Sequence, residues 1–450
     1  MHRLVTATVI ITILTVQLFQ LGVVFGEDVD GNTFTLKEAV EMAITNSALI
    51  KEAIEKQRAA VEEEKSAKAD LLPKISASYS YTNLKDEPYA LFGPAKVTVG
   101  ENDNYHWDLT ITQPIFTGFF LSTKRKMAKL GIEIKGVGKK QAVLDVVKQV
   151  KVAYFNILLA KKFLMVADEA VRQLESHVKD AEKFYEEGII PYNDLLKSKV
   201  ALANALQNRV KAESNMEMAI SSLNTLLRMD INRKTDVEEV LIVPSSFNLN
   251  ALFEEAVKNR PELKALRLAL KNIDYATRLA RSSYYPHVAL VGIYEQKGDN
   301  LEATNNDFGN THNASITLQA KWTFFEWGKK KAELQKCYHN RLSLAEKVKG
   351  IEDSIKLEVK NAFVNLKVAE KNIQTARESL DQAKENWRIT NLQYQQQMAT
   401  STEVLDARTF LTQGETNYYS ALYGYMISLA ELERAVGRQI ETRIMDLKSR

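Results

Sequence analysis

The chain has 450 residues, 45% of them apolar, and its 60 basic and 57 acidic side chains leave a net charge of +3. So balanced a charge leaves no global field that would suggest nucleic acid or another polyanion as the main partner. Only 18 glycines and 8 prolines over this length argue for long helices and against a chain of many short strands or a proline-rich disordered one.

In chain order, Met1-His2-Arg3 precedes an apolar run from Leu4 to Val24, with Gly26 before the acidic Glu27-Asp28. This reads as an export signal, residues 1–26, cleaved after Gly26; a retained anchor is the alternative. No later segment approaches the ~18 continuous apolar residues of a membrane helix, so entry into a membrane would have to be by strands. A capping box at Thr35-Leu36-Lys37-Glu38 opens a helix that breaks near Asn46 and resumes to about Leu72. After Pro73 the period changes to two: Ile75, Ala77, Tyr79 and Tyr81 alternate with serines and a threonine. Trp107, Leu109 and Ile111 do the same with Asp108, Thr110 and Thr112. One apolar and one polar face suit a membrane barrel strand or a half-buried soluble sheet equally. From Phe120 to about Glu187 apolar residues recur in steps of three and four, from Val143, Val146 and Val150 to Ala181 and Tyr185. That is coiled-coil periodicity, on a helix of ~100 Å at 1.5 Å per residue.

The chain then repeats itself. Phe34, Leu36, Ala43 and Asn46 meet Phe247, Leu249, Ala256 and Asn259 at an offset of 213, and Pro73 meets Pro286. Beyond that the offset is 209: Phe116, Ala153, Tyr185 and Leu196 meet Phe325, Ala362, Tyr394 and Leu405. A loop between Pro73 and Phe116 absorbs the difference. The second heptad run goes from Ile355 to Trp387, and Pro261 sits at the equivalent helix break. The expected organisation is a first repeat over 27–230 (strands about 74–85 and 104–116), a linker over 231–248, a second repeat over 249–440 (strands about 287–297 and 312–325) and a tail over 441–450. The fold class is mainly α with a small β part, a duplicated helix-strand-strand-helix-helix unit. Four strands per chain cannot close a barrel, and lipid tolerates no open edge. Transmembrane strands therefore require several chains to share one barrel, which the long helices would continue as a hollow cylinder.

TLKEAVEMAITNSAL, ADLLPKISASYSYT, TQPIFTGF, YEEGIIPYNDLLKSK, WTFFEWGKKKAEL and YQQQMATSTEVLDAR, in this order and duplication, resemble the TolC-like outer-membrane efflux family across nearly all of residues 33–440. The resemblance implies a homotrimer sharing a transmembrane β-barrel above a periplasmic α-helical barrel in the outer membrane of a Gram-negative bacterium. It implies an exit duct for tripartite efflux or type I secretion, docked by a periplasmic adaptor (membrane fusion) protein and fed by an inner-membrane transporter of RND or ABC type. Two hairpin tips, Gly188-Ile189-Ile190-Pro191 and Gln397-Met398-Ala399-Thr400, are the implied adaptor-docking sites. The second departs from the family at Gln397, where glycine is usual, and near Ala399, where a basic residue is common.

Glu403 and Asp406, at i and i+3 just past the second tip, stand where the first repeat has Asp194 and Lys197, a self-neutralising pair. The resemblance makes them an acidic ring at the channel entrance; the alternative is a solvated face screened by Arg408 or Lys384. Basic runs at Lys124-Arg125-Lys126 and Lys329-Lys330-Lys331, beside Phe116, Phe119, Phe120, Trp322, Phe324, Phe325 and Trp327, fit contact with outer-membrane lipid at the interface, or simply solvent. No catalytic constellation is visible. The lone Cys337 and the scattered His2, His106, His177, His287, His312 and His339 give no metal site and no cofactor. An exported coiled-coil surface protein would share the heptads without the alternating strands. A pump adaptor would carry one hairpin flanked by compact β domains.

Overall fold

The structure, a computed structural model, describes residues 33–242, 246–439 and 444–446. The expected export signal, most of the tail and part of the linker lie outside the described residues. In chain order the elements are β1 (Thr33–Phe34), α1 (Leu36–Asn46), α2 (Ala48–Ala69), β2 (Lys74–Asn83), β3 (Tyr89–Phe92), β4 (Ala95–Thr98), β5 (Asp103–Thr117), α3 (Phe120–Glu186) and α4 (Tyr192–Leu227). There follow β6 (Asp236–Val237), β7 (Val240–Ile242), α5 (Leu249–Asn259), α6 (Pro261–Arg281), β8 (His287–Gly298), β9 (His312–Lys321), α7 (Lys329–Gln395), α8 (Ser401–Val436) and β10 (Ile444–Asp446).

The duplication is visible element by element. The long helices α3 and α7 each have 67 residues, and α4 and α8 each have 36. α1 starts at the Thr35/Glu38 capping box, and α6 takes Pro261 in its first turn, where the missing N–H costs nothing. The heptad residues Val146, Val150, Ala153 and Ile157 are buried in one core, against Ala39, Ala43 and Ile50. Their counterparts Ile355, Val359, Ala362 and Leu366 are buried in a second core, against Leu252, Ala256 and Leu263. Toward the tips the seams narrow to clusters such as Val171, Leu174 and Ala205. Tyr185, the last heptad position of α3, is exposed because the hairpin ends there.

Most of the left-handed backbone positions also repeat. Gly118 (φ 59°) and Trp327 (φ 45°), Phe119 (φ 67°) and Gly328 (φ 83°), Gly188 (φ 72°) and Gln397 (φ 60°), and Arg228 (φ 62°) and Gly437 (φ 84°) all stand 209 residues apart. In each pair only one partner is glycine. The turn geometry has been kept in both copies while its usual residue has not, so the non-glycine member carries some strain.

The four long strands form one antiparallel sheet in the order β2-β5-β8-β9. Its register collects the apolar side chains on one face: Ile75, Ile111, Gly292 and Ile316 in one row, Ala77, Leu109, Tyr294 and Ala314 in the next. The other face carries Ser76, Thr110, Ile293 and Ser315, then Ser78, Asp108, Glu295 and Asn313. β8 alternates poorly in sequence because Ile293 and Val291 fall on the polar face. A soluble sheet of this kind would have its apolar face covered, whereas β2 and β9 are exposed at every residue, on both faces.

Four smaller features go beyond the expected elements. β3 and β4 form a hairpin within the longer strand-connecting loop of the first repeat. The expected linker contributes β6, which pairs with β1, and β7, which pairs with β10 of the expected tail. These strands of two or three residues carry too little pattern to be read from sequence. The strand expected to reach residue 325 ends at Lys321, since the Trp322-to-Trp327 stretch turns into α7.

The left-handed pairs predict unequal costs at one type of junction. A Cβ on Gly118 would fall 2.5 Å from the Ser282 carbonyl oxygen and 2.9 Å from Tyr285 Cβ, while one on Gly328 meets nothing within 4 Å. Gly328→Ala is therefore expected to cost about 1 kcal/mol, from backbone conformation alone. Gly118→Ala adds an overpacking cost of roughly 1–3 kcal/mol. Thermal unfolding of the purified protein checks the order; equal shifts would contradict it.

Candidate functional site at the hairpin tips

Both hairpins end in the same turn, built by the same bonds. In the first, Gly188 N–H donates to the Tyr185 carbonyl (3.0 Å) and Ile189 N–H to Phe184 (2.8 Å). In the second, Gln397 N–H donates to Tyr394 (2.9 Å) and Met398 N–H to Gln393 (2.8 Å). This is a left-handed helix C-terminus, and it is why the family's usual glycine suits the position Gln397 holds. Both turns leave apolar side chains in solvent: Ile189 at 41% exposure and Met398 at 77%. Pro191 and Thr400 then take the extended backbone that opens α4 and α8.

Thr400 is more than a turn residue. Its hydroxyl oxygen accepts from Glu403 N–H (3.3 Å), and its own N–H and hydroxyl both donate to the Glu403 carboxylate (2.6 and 2.9 Å). The Thr400 amide, and then its hydroxyl, hold the Glu403 carboxyl below its usual range. Glu403 is thus a capping residue that keeps its charge, and Asp406 stands exposed one turn on. The first tip differs as its residues imply: Lys197 bonds Asp194 at 3.0 Å, cancelling one charge with the other.

The screens named in the alternative reading lie elsewhere. Arg408 is buried at 2% exposure and turned to the helix seam, where it donates to Gln173 (2.8 Å) and pairs with Glu415 at 3.4 Å. The field of Lys384 acts on that same Glu415. Glu403 and Asp406 therefore face solvent without the two cations that could have shielded them.

Several residues of the basic runs are paired within the chain. Lys124 pairs with Asp70 (2.8 Å) and Arg125 with Glu64 (2.7 Å). Lys330 is buried and donates to the Thr323 carbonyl, with Tyr284 beneath it. The aromatics beside them do stand clear: Phe119, Trp322, Phe324, Phe325 and Trp327 are all exposed, and Phe116, Phe119 and Tyr285 pack edge to face.

A polar cluster not foreseen from sequence lies above the tips. His177 of α3 is buried, with Nε2 2.8 Å from Ser401 Oγ of α8, and Ser401 Oγ is 2.9 Å from Ser198 Oγ of α4. Ser198 also donates to the Asp194 carbonyl at 3.0 Å. His177 falls between heptad positions Leu174 and Val178, and only that register hinted at burial. Among the described residues no helix is long and apolar enough to cross a membrane.

Comparison with known proteins agrees with this architecture. The family model described as "Outer membrane efflux protein" matches residues 39–227 and again 252–438, the two copies. Outer membrane protein TolC of Escherichia coli is 21% identical over 430 residues, covering 90% of this chain and 82% of that one. The fold is shared with the Campylobacter jejuni CmeC outer membrane channel (TM-score 0.76, 18% identity, 90% of this chain and 87% of that one). It is shared too with the Vibrio cholerae outer membrane protein VceC (TM-score 0.75, 17% identity, 90% and 97%). A two-faced, uncovered sheet set on paired long hairpins defines a class of outer-membrane channel. The chain belongs to the outer membrane efflux protein family, and its place is the outer membrane.

The cap gives a direct test. Thr400→Ala removes one of its two hydrogen-bonding groups and is expected to cost about 1 kcal/mol. That corresponds to roughly fivefold faster amide exchange across the first turn of α8. Unchanged exchange there would contradict the assignment.

Proposed function

We propose that three copies of this chain close into a passive, non-enzymatic channel-tunnel, the outer-membrane exit duct of a tripartite efflux system. The observation that carries this reading is the side on which the chain is unfinished. Below the sheet the helices contact in the order α4-α3-α8-α7, and nearer the sheet in the order α2-α3-α6-α7. One flank is therefore β2, α2 and α4, and the other is β9 and α7. Both flanks expose apolar helix side chains: Val200, Val210 and Met218 of α4 on the first, Leu357, Val364 and Val368 of α7 on the second. Joining the flanks of successive copies pairs the strand edges and covers these side chains in one operation. The contact is heterologous, one flank against the other, and rotation closes it into a ring.

In this reading the apolar sheet face meets lipid and the polar face lines water. The aromatic residues near Phe119 and Trp327 sit at the membrane interface. Gly188, Ile189, Ile190, Pro191, Gln397, Met398, Ala399 and Thr400 meet a periplasmic adaptor through their exposed apolar tips. That adaptor links the duct to an inner-membrane transporter of RND or ABC type. Glu403 and Asp406, two carboxylates from each copy, ring the entrance and favour cations.

The replacement Glu403→Gln with Asp406→Asn tests the ring without dismantling the cap, because glutamine at this helix position still reaches back to Thr400. In planar bilayers the double variant is expected to show higher single-channel conductance and weaker cation selectivity. Conductance and selectivity equal to those of the unaltered protein would refute the entrance assignment.

A further inference from the structure

The polar cluster above the tips joins the two hairpins of one chain. His177 and Ser198 belong to the first hairpin, on α3 and α4, and Ser401 is the first residue of α8 in the second. All three are buried, at 2%, 0% and 1% exposure. The ring of Tyr394, at the end of α7, lies 4.7 Å from the His177 ring, and Phe184 packs on the other side of that tyrosine at 5.4 Å. Each of the four long helices of the two hairpins therefore contributes a side chain to this cluster. The link is one-sided: 209 residues on from His177 stands Asn386, and on from Ser198 stands Ala407. Neither residue titrates, so the second copy of the unit has no equivalent of the link.

The geometry tolerates only neutral histidine. Nε2 has its partner in Ser401, but Nδ1 is buried with no hydrogen-bond partner. A proton on Nδ1 would leave a charged N–H donor buried without a partner beside the Tyr394 ring. The charged and titratable groups around it do not relieve this. Asp180, on α3 itself, acts only through its field. Asp194 of α4 is bound to Lys197, the Glu403 carboxylate of α8 is bound to Thr400, and Arg408 of α8 is held by Gln173 and Glu415. From α7 comes Tyr394, whose hydroxyl is buried beside the cluster and is kept neutral by its desolvation. We infer that the His177–Ser401–Ser198 contact is an acid-sensitive clasp, which holds the start of α8 against the first hairpin while His177 is neutral and releases it on protonation.

The sign follows from burial. Desolvation pushes His177 down to about 4 from an ordinary 6.5. The clasped state thus binds fewer protons than the released state between those values. The contact is at full strength above the ordinary value and weakens as pH falls below it. Linkage between these two values gives roughly a 30-fold rise in the released population between pH 7.5 and pH 5. Most carboxylates stay charged across that interval.

Hydrogen–deuterium exchange on the full-length protein, purified and reconstituted, tests this. After correction for intrinsic rates, the amides of residues 396–405 are expected to exchange roughly 30-fold more readily at pH 5 than at pH 7.5. His177→Gln, which cannot titrate, should abolish that difference; His177→Asn serves if the first variant does not assemble. Ser401→Ala should raise exchange already at pH 7.5. The clasp is overturned if the unaltered protein shows no pH difference, if a non-titrating variant keeps it, or if Ser401→Ala leaves exchange at pH 7.5 unchanged.

Discussion

Unpaired backbone groups govern this molecule. A strand edge presents a row of N–H and C=O groups, each costly to leave unsatisfied where water is absent. This chain has two such edges, β2 and β9, on a sheet whose apolar face no other described part of the chain covers. The sheet makes sense only where lipid covers that face, and lipid forbids the edges. The two demands meet when the edges find each other across copies. The helices below obey the same geometry, since α4 and α7 flank the same two sides and leave apolar residues there. The tunnel is the consequence of satisfying hydrogen bonds and apolar surface together, and the internal duplication supplies a wall segment built from two like pieces.

Much of this was legible in the residues, and what was not has identifiable causes. Long elements with a sustained period read well. The heptads from Val143 to Ala181 and from Ile355 to Trp387 are buried or half-buried throughout, and α3 ends within a residue of the position its pattern indicated. The capping box at Thr35 and the proline at 261 fall where local chemistry puts them. The short strands β1, β6, β7 and β10 were silent because two or three residues hold no period. The shared left-handed positions were masked because glycine survives in only one member of each pair. Alternation alone left the choice between a membrane and a soluble sheet open; the heptad helices and the family resemblance pointed to the membrane, and β2 and β9 stand uncovered on both faces.

At the tips the turns and the acidic pair were legible as positions along the chain, while the side-chain partners around them were not. Glu403 and Asp406 form no ion pair comparable to Asp194–Lys197, but Glu403 also caps its helix, a duty that Thr400 at the preceding turn signalled. Arg408 could stand as a possible screen in the alternative reading because charge alone does not reveal which way a helical residue points; its seam position beside Ala407 and Leu411 buries it. The two tips are consequently unequal. The first is neutralised by its own lysine, while the second carries two exposed acids and touches its neighbour through His177, so the two copies of one hairpin differ in charge and in packing.

Closure of the sheet across copies is the claim on which the rest stands, and amide exchange of the two edge strands in the reconstituted protein tests it most directly. The outward-pointing amides of β2 and β9 should be protected as strongly as those of the central strands β5 and β8. Edge amides that exchange as freely as the connecting loops, while β5 and β8 stay protected, would contradict it.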